Sequence, residues 1–129
     1  MVGKFLRQHE NGEHLTIVPD GNQRRDFTYV KDVVDANVLA MLTEHSHYGE
    51  VFNVGTGKNY SVLELADMIS DKKQFVESRI GEAKETLADN SKIKEVLNWH
   101  PKISLDVYIR NKLSKGVHIQ PSCETLTNI

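Results

Sequence analysis

Several residue groups in this chain have types and spacings that invite chemistry. Gly55-Thr56-Gly57-Lys58 offers the glycines and the lysine of a turn that cradles phosphate. A phosphate loop also needs a glycine five residues ahead of Gly57, to let the backbone wrap the anion, and a serine or threonine after the lysine, to reach magnesium. Phe52 and Asn59 hold those positions. The same glycines fail as a dinucleotide fingerprint, because Tyr60 stands where a third glycine must let helix pack on strand. They read instead as a strand-to-helix turn whose dihedrals call for glycine. Tyr108 and Lys112 are four residues apart, a spacing at which a tyrosine and a lysine could meet on one helix face and act together as acid and base. With no glycine-rich nucleotide site ahead of them, an i,i+4 surface pair accounts for the spacing. His45 and His47 are neighbours, yet His9, His14, His100 and His118 are scattered without metal-ligand spacing, so no metal is expected. No serine is flanked as a nucleophile elbow, and Cys123 sits in a polar tail without a base nearby in sequence. No catalytic residue and no cofactor-binding residue is assigned.

The elements that would carry these groups follow from periodicity and capping. Phe5 and Leu6 suit a short opening helix that stops at Asn11-Gly12. Leu15-Thr16-Ile17-Val18 is an extended run bounded by Pro19-Asp20-Gly21, and Asp26 to Val30 reads as a second strand, giving a strand, turn, strand order. From Lys31 to about His45, apolar residues cover most of a helical circumference, which predicts a helix buried on two sides. Asp32 and Asp35 lie in its first turns, where negative charge opposes the positive helix end. Val51 to Val54 predicts a short strand running into Gly55. Ser61-Val62-Leu63-Glu64 is a capping box, in which hydroxyl and carboxylate satisfy each other's free backbone donors, and Leu65, Ala66 and Ile69 continue the helix. Gln74 to Ser78 and Glu85 to Ala88 are expected to be extended. Asp89-Asn90-Ser91 opens a helix through Ile93, Val96 and Leu97 to Trp99, ended by Pro101. A last amphipathic helix from Ser104 carries Leu105, Ile109 and Leu113 and closes at Gly116, after which Val117 to Ile129 reads as a loose tail.

Bulk composition sets the class. The chain has 129 residues, 26% charged and 39% apolar, which suits one soluble globular domain and gives no reason to expect disorder. Sixteen basic against eighteen acidic side chains leave a net charge of −2, and no basic stripe is interleaved with aromatics, so nucleic acid is not an expected partner. Met1 to Glu10 lacks the apolar run of a signal peptide, and no segment approaches the roughly 18 apolar residues of a membrane span. Neither a membrane nor a targeting route is expected. Cys123 is the only cysteine, which agrees with a reducing, cytoplasmic setting.

Asp20-Gly21-Asn22-Gln23-Arg24-Arg25-Asp26-Phe27-Thr28-Tyr29-Val30-Lys31-Asp32-Val33-Val34 closely resembles a segment of the extended short-chain dehydrogenase/reductases, the family of UDP-glucose 4-epimerases and nucleotide-sugar dehydratases. Three further blocks keep the family's order: Gly49 to Gly57, Ser61 to Leu65, and Arg79 to Lys92 running on to Pro101. The resemblance implies that Arg25 and Arg79 grip the diphosphate of a UDP-sugar or similar ligand. Guanidinium suits that task, since it stays charged and bonds phosphate bidentately. The alternative is a pair of surface arginines matched with Asp26 or Glu82. The family arginine directly precedes the aspartate, which selects Arg25 over Arg24. By the same resemblance Glu82 would bond the ribose, while Thr16 and Val18 would cradle the base; ordinary core packing is the alternative for those two. Asn53, Trp99 and Tyr29 are assigned to structure.

Relatives use NAD, held by a glycine-rich site, with a catalytic tyrosine, lysine and Ser/Thr, all upstream of the region that this chain matches. The expected fold is therefore α/β: the C-terminal substrate-binding region of an extended short-chain dehydrogenase/reductase, with short strands, about four to five helices, and the Rossmann core missing. Residues 1–116 form that nucleotide-sugar-binding region and 117–129 the tail. No bound cofactor is expected on the chain alone, which is expected to be inactive by itself. Apolar surface should be exposed where a cofactor lobe would sit, with self-association as a consequence. Pro19, where many relatives carry glycine, departs from the pattern. A ligand-free interaction module, or a degenerate remnant of the same fold, is the competing expectation.

Overall fold

The computed structural model describes residues 1–44, 49–77 and 81–116. Arg79, Ser78, His45, His47 and the whole tail with Cys123 lie outside the described residues. The chain is a mixed α/β arrangement, with five helices and four short strands among the described residues.

Helix α1, Val2–Glu10, turns Phe5 and Leu6 inward and ends at Asn11, followed by Gly12 at φ 73°. Strand β1, Leu15–Ile17, buries Leu15 and Ile17 completely, so period-two alternation sends Thr16 the other way. Strand β2 is Arg24–Asp26, and α2 runs Val30–Leu42. Strand β3, Asn59–Ser61, feeds directly into α3, Val62–Asp67. Strand β4, Lys73–Phe75, lies parallel to β1, with Thr16 opposite Gln74. Helices α4, Ser91–Leu97, and α5, Leu105–Ser114, complete the order.

The capping box at α3 forms as its sequence requires. Ser61 Oγ accepts from the Glu64 N–H at 3.0 Å, and the Glu64 carboxylate accepts from the Ser61 N–H at 2.6 Å. From α3, Val62, Leu65 and Ala66 pack with Phe5, Leu6, Leu15, Ile17, Leu105 and Ile109 in the larger core. A smaller core gathers Ala36, Ile93, Leu97 and Trp99. Buried Asp32 ties α2 to that second core and to the approach of α5. Its carboxylate accepts from the N–H groups of Lys102 and Ile103, at 3.1 and 3.2 Å, and its carbonyl accepts from Trp99 Nε1 at 2.8 Å. Trp99 thus has the structural place expected of it.

The structure corrects four expectations. The second strand is centred on Arg25, not on Asp26 to Val30. Its register is set by antiparallel pairing with β3, Arg24 opposite Ser61, Arg25 opposite Tyr60 and Asp26 opposite Asn59. Tyr29 is already the N-cap of α2. Although the strand, turn, strand order holds, β1 and β2 belong to different sheets. Val51 to Val54 forms no strand, because no described segment pairs with its backbone. Helix α2 is buried on one narrow face, Asp32 and Ala36, rather than on two; Met41 and Leu42 are 82% and 73% exposed. Helix α4 stops at Leu97, before Trp99, because Asn98 turns left-handed at φ 49°.

Candidate functional site

Where β1 ends, the chain must turn sharply to reach β2, and the turn builds the wall of a cleft. Gly21 sits at φ 81°, and a Cβ there would fall 2.7 Å from Leu63 Cγ, so glycine is required by both dihedral and space. Asn22 donates its N–H to Asp20 Oδ1 at 3.0 Å. Hydrogen bonding from Asn22, side chain first and then backbone, holds the Asp20 carboxyl below the usual carboxylate range. Gln23 then reaches back, its Nε2 donating to the Val18 carbonyl at 3.2 Å and to Glu82 Oε2 at 3.4 Å.

The cleft so formed has a volume of about 360 Å³ and is lined by Val18 to Asp20, Asn22, Gln23 and Glu82 to Lys84. Val18 and Glu82, two of the residues singled out by sequence, therefore meet in one place. Gln23, to which sequence reasoning gave no role, joins them. Its Oε1 is buried without a hydrogen-bond partner among the described residues. An unsatisfied buried acceptor costs on the order of 1–3 kcal/mol, which a ligand N–H or O–H would recover. The signal that could have found it lies between Gly21 and Arg25: a glutamine whose amide must go somewhere when its neighbours alternate across a strand.

The two arginines divide their tasks by that alternation. Arg24 and Asp26 point to one face of β2. Arg24 pairs with Glu64 at 3.0 Å and donates from Nε to Asn59 Oδ1 at 2.8 Å. Asp26 accepts from the Thr56 hydroxyl and N–H at 2.6 and 3.0 Å, from the Gly57 N–H at 2.9 Å and from the Ala88 N–H at 3.3 Å. Arg25, between them on the strand, points to the opposite face. Its Nη1 donates to the Arg24 carbonyl at 2.7 Å, and among the described residues it forms no ion pair. Matching with Asp26 or Glu82 is therefore not what Arg25 does. Thr16 is partly taken up by Gln8, whose Nε2 donates to its Oγ1 at 3.2 Å and whose Oε1 accepts its N–H at 3.2 Å. Thr16 and Arg25 do not line the cleft itself.

Other candidates resolve into structure. The N–H groups of Thr56 and Gly57, which a phosphate loop would aim at an anion, are already spent on the Asp26 carboxylate. That turn offers no place for a pyrophosphate. Gly57 has φ 72°, and a Cβ on Gly55 would lie 2.3 Å from Ala88 Cβ, so the two glycines serve dihedral and space respectively. Asn53 donates its Nδ2 to the Asp89 carbonyl at 3.3 Å. Lys112 Nζ stands over the Tyr108 ring, 5.6 Å from its centroid, a surface cation–π pair, and Tyr108 in turn meets the Tyr29 ring at 5.6 Å. A second hollow of about 260 Å³ beside Tyr29 and Tyr108 is mostly apolar. Among the described residues no group of His, Cys, Asp and Glu is arranged to hold a metal ion. No described helix is long and apolar enough to cross a membrane.

Comparison with known proteins bears on this geometry. Residues 2–112 match the family described as GDP-mannose 4,6 dehydratase. The chain belongs to the extended short-chain dehydrogenase/reductases. Within that family it is 34% identical over 117 residues to a Bacillus subtilis protein described as an uncharacterized UDP-glucose epimerase, a match covering 86% of this chain and 37% of that one. Among solved structures, UDP-glucose 4-epimerase of Thermotoga maritima with UDP-glucose superposes with a TM-score of 0.78 at 34% identity, over 88% of this chain and 38% of that chain. UDP-glucuronic acid 4-epimerase of Bacillus cereus, in complex with UDP-glucuronic acid and NAD, gives 0.78 at 35% identity, over 84% and 37%. The chain thus spans little more than a third of the length of the relatives it matches.

Proposed function

We propose that residues 1–116 are the nucleotide-sugar-binding region of an NAD-dependent epimerase or dehydratase of the UDP-glucose 4-epimerase kind, and that 117–129 are a separate tail. The observation that carries this reading is the cleft in which Val18, Gln23 and Glu82 converge, with an acceptor on Gln23 that is buried and without a partner among the described residues. Glu82 would accept from ribose hydroxyls, Val18 and Thr16 would border the base, and Arg25 with Arg79 would hold the diphosphate. Arg25 has the donors for this, since among the described residues only one of its five N–H groups is committed, to the Arg24 carbonyl.

In this reading the Rossmann core and the catalytic tyrosine–lysine pair of the family are no part of these residues. NAD, present in solved relatives, would supply the redox chemistry in a whole enzyme, and this chain would bind a UDP-sugar without turning it over. The lone cysteine and the composition support a cytoplasmic setting.

Calorimetry with UDP and UDP-glucose tests the reading. Losing a charged hydrogen bond of this kind costs about 1.5–3 kcal/mol, so Arg25→Ala should weaken UDP roughly tenfold or more, and the double variant with Arg79→Ala further still. Unchanged affinity in the double variant would refute the phosphate roles. A second reading, an interaction module without a ligand, is favoured by one observation: the apolar outer face of α2, where Val30, Val34, Met41 and Leu42 are all more than half exposed. No heat with any nucleotide sugar, together with concentration-dependent self-association, would decide for it.

A further inference from the structure

Arg24 stands beside the arginine assigned to phosphate, and its own side chain is committed elsewhere. Its Nη2 lies 3.0 Å from Glu64 Oε2 and donates to the Asn59 carbonyl at 3.0 Å, while Nε donates to Asn59 Oδ1 at 2.8 Å. Glu64 is itself fixed by the capping box of α3. On the main chain the Arg24 N–H donates to the Lys84 carbonyl at 2.8 Å, and the Arg24 carbonyl accepts from the Thr86 N–H at 3.1 Å and from Arg25 Nη1 at 2.7 Å. The carbonyl on which the Arg25 guanidinium rests therefore belongs to a residue gripped from three directions: strand β3, helix α3 and the segment 84–86.

We propose that Arg24 is a positioning residue for Arg25, its clamp to Glu64 and Asn59 fixing the carbonyl that orients the Arg25 guanidinium toward a diphosphate. The proposal rests on the phosphate role given to Arg25 above. Arginine carries a large rotamer entropy, and a guanidinium anchored before the ligand arrives loses less of it on binding. The device acts on the phosphate end alone. Base and ribose are assigned to Val18, Gln23 and Glu82, none of which hydrogen-bonds the Arg24 side chain among the described residues.

Calorimetry on the full chain with uridine and UDP, read as the ratio of the two affinities, tests it. Arg24→Met keeps the aliphatic stem, and Glu64→Gln keeps an acceptor for the Ser61 N–H while removing the ion pair. Expected is UDP binding weaker by about fivefold to tenfold in Arg24→Met, with uridine unchanged, a smaller loss in Glu64→Gln and partial rescue in Arg24→Lys. General loosening of the fold would weaken uridine and UDP alike. If Arg24→Met does not fold, Glu64→Gln and Arg24→Lys carry the same comparison. An unchanged ratio in these variants, alongside a collapsed ratio in Arg25→Ala, overturns the positioning role and leaves Arg25 standing. An unchanged ratio in Arg25→Ala itself, or no UDP binding by the wild-type chain, overturns both.

Discussion

A single carboxylate ties strand β2 to two distant segments of the chain. Asp26 ties together the Thr56-Gly57 turn and Ala88, two points distant in sequence, by accepting four hydrogen bonds on its two oxygens. Its neighbour Arg25 has no carboxylate partner among the described residues, because Asp26 is fully used on the other face of the strand. Read from sequence, an arginine next to an aspartate suggests a pair; the strand's alternation separates them. Asp26→Asn keeps size and can keep the bonds from Thr56, but its amide would turn a donor toward the donors of Gly57 and Ala88. We expect the variant to lose about 2 kcal/mol of stability, read as a lower urea midpoint with unchanged slope. A loss under about 0.5 kcal/mol, ordinary for a surface change, would mean that the carboxylate does not organise the turn.

Among the elements, those specified by their own residues were legible and those specified by a partner were not. The α3 capping box, the stop of α1 at Asn11-Gly12 and the closing of α5 near Gly116, φ 66°, depend on neighbours three or four residues away, so sequence contains them. Strand β2 depends on β3, thirty-odd positions on, and the aromatic, β-branched look of Phe27 to Val30 misleads because Tyr29 is spent on capping α2. Val18 and Glu82 could be named from family order, but the Gln23 bridge between them exists only once the turn at Gly21 is folded. The capping box also gives a pH prediction. The Ser61 N–H, ahead of Arg24, holds the Glu64 carboxyl below the usual range. A carboxylate whose pKa is lower folded than unfolded adds stability that is present above the ordinary carboxylate value and is lost as pH falls through the folded value. Glu64→Gln should therefore flatten the acid limb of stability against pH below about 4.5, and a limb as steep as wild type would remove Glu64 from the account. Ser61→Ala, which deletes the other half of the box, should cost about 1 kcal/mol at neutral pH.

At the scale of the whole molecule the unusual feature is how little of α2 is covered. Val30, Val34, Val38 and Met41 recur at helical spacing on the face opposite buried Asp32 and Ala36, so the exposed apolar residues form one stripe rather than scattered points. Val51, 78% exposed, is a further large apolar side chain left outside the two cores. Contiguous apolar surface exposed to water favours association, and the self-association expected from the sequence would use this stripe. Sedimentation velocity across the micromolar to millimolar range should then detect reversible association that Val34→Lys with Met41→Lys abolishes. Both positions are more than half exposed and outside the cores, so the fold should survive the double change with stability altered by no more than about 0.5 kcal/mol per site. The comparison separates association from ligand binding, because α2 contributes no residue to the cleft between Val18 and Lys84: nucleotide affinity should stay level while the oligomer disappears. A wild-type chain that stays monomeric at the highest concentration would show the stripe to be insufficient for self-pairing, and a variant that loses nucleotide binding along with association would mean that cleft and stripe are coupled.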